Sequence, residues 1–102
     1  MNKVELLGRI VKEVELQKSK EGNSYIKNTL AVRKDKDNTL FIDFMIFGKP
    51  AEAVQKYCQK GDRIIICGAI DINDVETDSK KYRNINIIAS DFYFVDYKKL
   101  DK

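Results

Sequence analysis

Leu40-Phe41-Ile42-Asp43-Phe44-Met45-Ile46-Phe47 is the stretch on which the fold turns. A β-strand sends alternate side chains to opposite faces. Here the even positions Leu40, Ile42, Phe44 and Ile46 are all large and apolar, as expected of a strand face turned towards a core. The odd positions Phe41, Asp43, Met45 and Phe47 then point outwards. Two outward phenylalanines on one strand are unfavourable unless something covers them. The stretch therefore predicts a core strand with a binding surface on its back.

The run before it, residues 25–33, repeats the pattern. Ile26, Leu30 and Val32 fall on the even face, and Tyr25, Lys27, Thr29 and Arg33 on the odd one. Residues 34–38 between the two runs are polar, and Asp37 and Asn38 suit a turn. Antiparallel pairing of the two runs brings Tyr25, Phe41 and Phe47 together with Lys27 and Arg33 on one curved surface. Three further runs lie outside this pair. Residues 4–17 read as one long strand, with Val4, Leu6, Ile10, Val14 and Leu16 inward and Gly8 as a bend or bulge. Residues 63–73 are rich in isoleucine, and a polar stretch, 74–81, separates them from a last strand at 82–94. Only residues 50–57 suggest a helix, with Pro50 in its first turn, Ala51, Val54 and Cys58 on one face, and Gly61 beyond its end. This order predicts an all-β chain, an OB-fold five-stranded barrel with one short helix between strands three and four. In that fold, strands two and three carry the oligonucleotide-binding face.

Composition narrows the function. A chain of 102 residues supports one core, read as a domain over 1–96 with a short C-terminal extension, 97–102. The apolar fraction of 43% and the single proline, Pro50, suit a folded chain. No apolar run approaches the roughly 20 residues of a membrane span. Lys3, Glu5 and Arg9 interrupt any signal-peptide core, so a cytoplasmic protein is expected. Cys58 and Cys67 are the only cysteines and histidine is absent. Both cysteines read as small core residues in a reducing compartment, with no metal, disulfide or cofactor implied. Without histidine, a glycine-rich phosphate loop or a nucleophile elbow, the sequence argues against an enzyme. The net charge of +3, from 19 basic and 16 acidic residues, is mild for a nucleic-acid binder. What counts is where the cations gather.

Several short motifs add a family resemblance. They are Asn2-Lys3-Val4, Gly8-Arg9, Thr29-Leu30-Ala31-Val32, Phe41-Ile42, Phe47-Gly48-Lys49, Ala51-Glu52, Tyr57, Lys60-Gly61-Asp62, Gly68 and Tyr82. In this order and spacing the sequence resembles the bacterial-type single-stranded DNA-binding proteins, the SSB family, over residues 2 to about 95. The resemblance implies a homo-tetramer, or at least a homo-dimer, of OB-folds around which single-stranded DNA wraps in replication, recombination and repair. It also implies that Phe41 and Phe47 stack on bases and that Lys49 and Lys60 lie near the DNA path.

The chain departs from the family in three places. No aromatic stands at Lys36 or in 74–76, where the family usually offers further stacking residues. Tyr25 and Tyr82 are the available substitutes. Asp43 puts a negative charge on the proposed face. The sequence ends Asp96-Tyr97-Lys98-Lys99-Leu100-Asp101-Lys102, without the family's acidic tip. Either the sequence is cut short of that tip, or this is a phage- or plasmid-like member lacking tail-dependent partners.

Some assignments stay open between two readings. Phe41 and Phe47 either stack on bases or lie under a second subunit, and Lys27 and Arg33 on the same face favour DNA. Lys80, Lys81 and Arg83 form either a phosphate-contacting hairpin or a solvated loop diluted by Asp74, Glu76 and Asp78. Tyr57 reads as packing. Two other functions would use the same barrel. One is a primosomal replication-restart protein, and the other a protein-interaction module without a DNA role.

Overall fold

The computed structural model describes residues 1–96, and the expected extension, 97–102, lies outside the described residues. The elements are β1 (Val4–Ile10), β2 (Gln17–Lys18), β3 (Ser24–Asp35), β4 (Asn38–Phe47), α1 (Gly48–Tyr57), β5 (Arg63–Glu76) and β6 (Lys81–Phe94). Strands β3 and β4 form the expected hairpin, in register from Tyr25 opposite Phe47 to Arg33 opposite Thr39. Strand β5 pairs antiparallel with β1 and β6. Strand β6 then runs parallel to β4, Met45 opposite Ile88, and β1 meets β3 at Arg9–Ala31 and Ile10–Leu30. The circuit β1-β5-β6-β4-β3-β1 closes an OB-fold barrel, with β2 as a short addition on β3. Closure removes most of the open sheet edge at which strands otherwise associate.

Inside, most of the even positions do what their parity predicts. Ile10, Ile26, Leu30, Phe44, Ile46, Ile64 and Ile66 are buried, and Ala51, Val54 and Cys58 join them from the α1 side. The helix begins at Gly48, two residues earlier than Pro50. Gly48 has φ 72°, where a side chain would be strained. Pro50 lies in the first turn, where its missing N–H leaves no helical bond unmade. Gly68 answers a different need. Cys67 pairs with Asp91 but Gly68 with Ala89, so Ser90 is an unopposed, bulged residue. There β5 and β6 approach so closely that a Cβ on residue 68 would meet the Ile88 carbonyl oxygen and come within 2.7 Å of the Ala89 Cα.

Three expectations are corrected. The first run is not one strand, because β1 stops at Ile10 and only Gln17–Lys18 pairs again. The cause is Asn28. Its Oδ1 accepts from the Lys12 N–H at 3.1 Å and its Nδ2 donates to the Lys12 carbonyl at 3.1 Å, so a side chain replaces the strand ladder. Leu40 is exposed rather than core: its partner Val32 still packs, half-buried, on the edge of the buried cluster, and from there to the turn the β3–β4 hairpin is exposed. Cys58 is buried, but Cys67 lies on the outer face of β5, its Sγ 3.9 Å from Glu5 Oε2. Its odd position gives it the opposite face from buried Ile64 and Ile66.

Candidate nucleic-acid interface

The outer face of the β3–β4 hairpin is a ladder of five cross-strand pairs: Tyr25–Phe47, Lys27–Met45, Thr29–Asp43, Ala31–Phe41 and Arg33–Thr39. Phe41 is 67% and Phe47 41% exposed. The Tyr25 and Phe47 rings are tilted 36° with centroids 6.0 Å apart. Phe41 and Phe47 are six residues apart on one strand, so the two aromatic platforms stand about 20 Å from each other. Lys27 is exposed between them and Arg33 is exposed beyond Phe41. Five of the residues singled out in the sequence, Tyr25, Lys27, Arg33, Phe41 and Phe47, thus share one surface.

Barrel closure widens that surface in two directions. Towards β1, Arg9 lies opposite Ala31, and Arg63 of β5 opposite Arg9. Together with Arg33 they line an open depression of about 510 Å³. Arg9 Nη1 donates to the Gly61 carbonyl at 3.0 Å. Arg63 donates twice to Asp96, at 3.1 and 2.5 Å, a bond that raises the guanidinium pKa and lowers that of the carboxyl. Towards β6, Asn84 and Asn86 border a hollow with Lys12, Lys27, Asp43 and Met45. Arg9, Arg63, Lys12, Asn84 and Asn86 were not recognised from sequence as part of this surface. Arg9 and Arg63 had only their odd parity as a signal, and Lys12 was hidden by reading its segment as strand.

The remaining candidates are more scattered. Lys49 is exposed on the first turn of α1, two residues beyond Phe47. Lys60 is exposed in the turn before Gly61, the residue that holds Arg9. Lys80, Lys81, Tyr82 and Arg83 sit at the far end of the β5–β6 hairpin, away from the paired aromatics in register. Arg83 Nε donates to Asp74 Oδ1 at 3.2 Å, and Lys81 Nζ is 3.9 Å from Glu76. These carboxylates on the opposite arm offset much of the hairpin's positive charge. Tyr82 is 53% exposed and has the same parity on β6 as Asn84 and Asn86, so it extends their face outwards. Tyr57 packs its edge against Phe94, centroids 6.3 Å apart, as a packing residue should.

A closed five-stranded barrel with an aromatic and cationic face on its second and third long strands defines an oligonucleotide-binding OB-fold protein. Comparison with known proteins makes this specific. The model of the single-strand binding protein family matches residues 1–95, and the chain belongs to that family. The chain is 31% identical over 106 residues to a single-stranded DNA-binding protein of Fusobacterium nucleatum, covering 96% of this chain and 69% of that one. A Clostridium perfringens protein of the same description is 33% identical over 100 residues, covering 94% and 67%. One from onion yellows phytoplasma is 28% identical over 101 residues, covering 96% and 97%. Among solved structures, a Plasmodium falciparum SSB complex with ssDNA superposes with a TM-score of 0.81 at 23% identity, over 94% of this chain and 96% of that one. That likeness establishes the shared fold.

Proposed function

We propose that this protein binds single-stranded DNA on the outer face of β3 and β4, stacking bases on Phe41 and on the Tyr25–Phe47 pair while Lys27 and Arg33 meet phosphates. As a member of the single-strand binding protein family it is a non-enzymatic DNA-binding protein, serving replication, recombination and repair. The observation that carries the placement is the register of β3 on β4, which puts three aromatic rings and two cations on one outward face. Base stacking contributes roughly 1–3 kcal/mol per base and tolerates any sequence, because every base has a π-face. Lys49, just beyond Phe47, and Lys60, in the turn beside Arg9, extend the phosphate track. Tyr82, with Lys80, Lys81 and Arg83, forms an outlying arm.

The protein works as an assembly of copies, a homo-tetramer in the fullest form. Supporting this, Leu7, Ile65 and Tyr93 form an outward apolar row across β1, β5 and β6, with Leu7 and Tyr93 exposed in the single chain. Ile70, Ile72 and Ile85 are exposed on the β5–β6 hairpin. Among the described residues no helix is long and apolar enough to cross a membrane, and we place the protein in the cytoplasm on DNA.

The decisive experiment is a fluorescence-anisotropy titration of labelled oligo-dT at low and moderate salt, with a duplex of equal length as control. Salt-sensitive binding to the single strand alone supports the proposal. Equal or absent binding to both would overturn it. Sedimentation of the free protein tests the assembly separately.

A further inference from the structure

Asp43 is the only acidic residue on the outer ladder between the two aromatic platforms. A carboxylate there repels phosphate and weakens any binding that rests on charge alone. Yet its position is well defined. Thr29 Oγ1, on a residue only 6% exposed, donates to Asp43 Oδ1 at 2.7 Å from directly across the strand pair. That bond fixes the carboxylate, and Oδ2 takes no hydrogen bond from any described residue. Asp43 also borders a hollow of about 190 Å³, with Met45, Lys12, Lys27, Asn84 and Asn86 among its lining residues. The Phe44–Ile87 pairing of the parallel β4 and β6, taken one residue back, brings Asn86 beside Asp43. The hollow therefore has a soft thioether wall, amide and carboxylate groups at its rim, and an ammonium group from each of two lysines.

This combination suits a flat ring with polar edges and a phosphate on either side. We propose that the hollow receives one nucleobase of the bound strand. Asp43 Oδ2 accepts a hydrogen bond from that base's exocyclic amino group, while Asn84 and Asn86 meet its acceptor edge. The inference rests on the single-strand reading and adds a bias to it. Any sequence still binds through stacking, but amino-bearing bases such as cytosine are favoured over thymine at this position. Thymine offers no amino group, and its one edge donor, N3–H, lies between two carbonyl oxygens that would confront the carboxylate.

The test compares oligo-dC and oligo-dT of equal length, at slightly alkaline pH, on the wild-type protein and on Asp43→Asn, Asp43→Ala and Lys27→Ala. Asp43→Asn keeps an oxygen for the buried Thr29 hydroxyl and should melt near the wild type, whereas Asp43→Ala leaves that hydroxyl without its partner and should melt lower while still folded, and a thermal scan checks both. Losing the carboxylate should strengthen oligo-dT binding and leave oligo-dC binding unchanged or weaker. The dC-to-dT affinity ratio then falls about tenfold, the scale of one good base contact. Lys27→Ala should weaken both alike, as loss of a phosphate contact does. If both Asp43 variants strengthen the two oligomers equally, the aspartate is only a repulsive charge and the inference is overturned. Wild-type protein that bound neither oligomer would overturn the single-strand reading itself, a different and recognisable outcome.

Discussion

Ala31 stands directly opposite Phe41 across the β3–β4 pair, and its single methyl cannot cover the ring, which stays 67% exposed. At the other end of the ladder Phe47 faces Tyr25, and the two rings lean on each other. Cross-strand partners lie about 4.5–5.5 Å apart at Cβ, so the size of the partner decides how much of an outward ring remains available. One platform is therefore a bare ring and the other a supported pair.

Phe41→Ala should weaken oligo-dT binding by about 1–3 kcal/mol while shifting stability by no more than about 0.5 kcal/mol, as expected of an exposed position. Ala31→Leu should lower affinity in the same direction, by covering the ring from across the ladder without removing any aromatic. Anisotropy titration paired with a thermal melt reads both quantities. A large loss of melting temperature in Phe41→Ala would mean that the ring supports the fold rather than the ligand.

Phe47→Ala should differ, because its ring touches Tyr25. Removing one member of an aromatic pair forfeits about 0.5–1.5 kcal/mol beyond the lost burial, so this variant should lose both affinity and melting temperature. Tyr25→Phe keeps the ring and should bind almost as the wild type does. If Tyr25→Phe instead lost as much affinity as Phe47→Ala, the hydroxyl would be a direct ligand and the stacking role of Tyr25 would need replacing.

Cations on the face and on the hairpin should respond differently to salt. Lys27 and Arg33 lie on the aromatic ladder and have no carboxylate within salt-bridge reach among the described residues. Arg83 and Lys81 already face Asp74 and Glu76. Each single-strand phosphate contact contributes roughly 0.7 to the slope of log K against log salt, so Lys27→Ala with Arg33→Ala should reduce the slope by about 1.4. Lys81→Ala with Arg83→Ala should change it less. A larger effect from the hairpin pair would move the main DNA path onto that arm.

Much of this was legible in the sequence. The parity of 40–47 gave both the core row of Ile42, Phe44 and Ile46 and the outward pair of Phe41 and Phe47, because a strand's period of two is a local property. The order of strands and helix was enough to suggest the barrel. What the sequence hid depends on contacts distant along the chain. Asn28 ends β1 from another strand, and Arg9 joins the face only because closure places it opposite Ala31. Asp43 is held by Thr29 from the neighbouring strand, a contact fourteen residues away along the chain. Leu40 was misplaced because parity tells which face a residue takes and not how far along the strand the core extends.

Acid should release the end of β6. The hydrogen bonds from Arg63 hold the Asp96 carboxyl below the ordinary aspartate range, with the nearby positive charge acting in the same direction. A carboxyl depressed in the folded state adds stability that is fully present above its unfolded pKa of about 3.9 and is lost as pH falls through the folded value. An NMR titration should find Asp96 protonating later than a free aspartate. Amides near Phe94 should exchange faster once it does, while those of the central core strands hold. Asp96→Asn should abolish the shift in local exchange across that acidic range. A normal Asp96 titration would mean that solvent screens the pair.

Gly68→Ala should be the most damaging single-methyl change in the chain's second half. The added Cβ would collide with backbone atoms of Ile88 and Ala89, and backbone within a paired strand cannot rotate aside as a side-chain tip can. Overpacking of a filled interior costs roughly 1–3 kcal/mol and at times more, and here relief would require β6 to move away from β5 at the bulge. Gly22 provides the contrast, with nothing within 4 Å of where a Cβ would stand and only φ 87° to resist substitution, so Gly22→Ala should cost about 1–2 kcal/mol through backbone strain alone. Chemical denaturation of the two variants separates steric collision from strain. Gly68→Ala should also lose oligonucleotide binding in proportion to its unfolded fraction, whereas Phe41→Ala loses binding while fully folded. A Gly68→Ala protein as stable as Gly22→Ala would show that the β5–β6 crossing opens more readily than its close backbone approach implies.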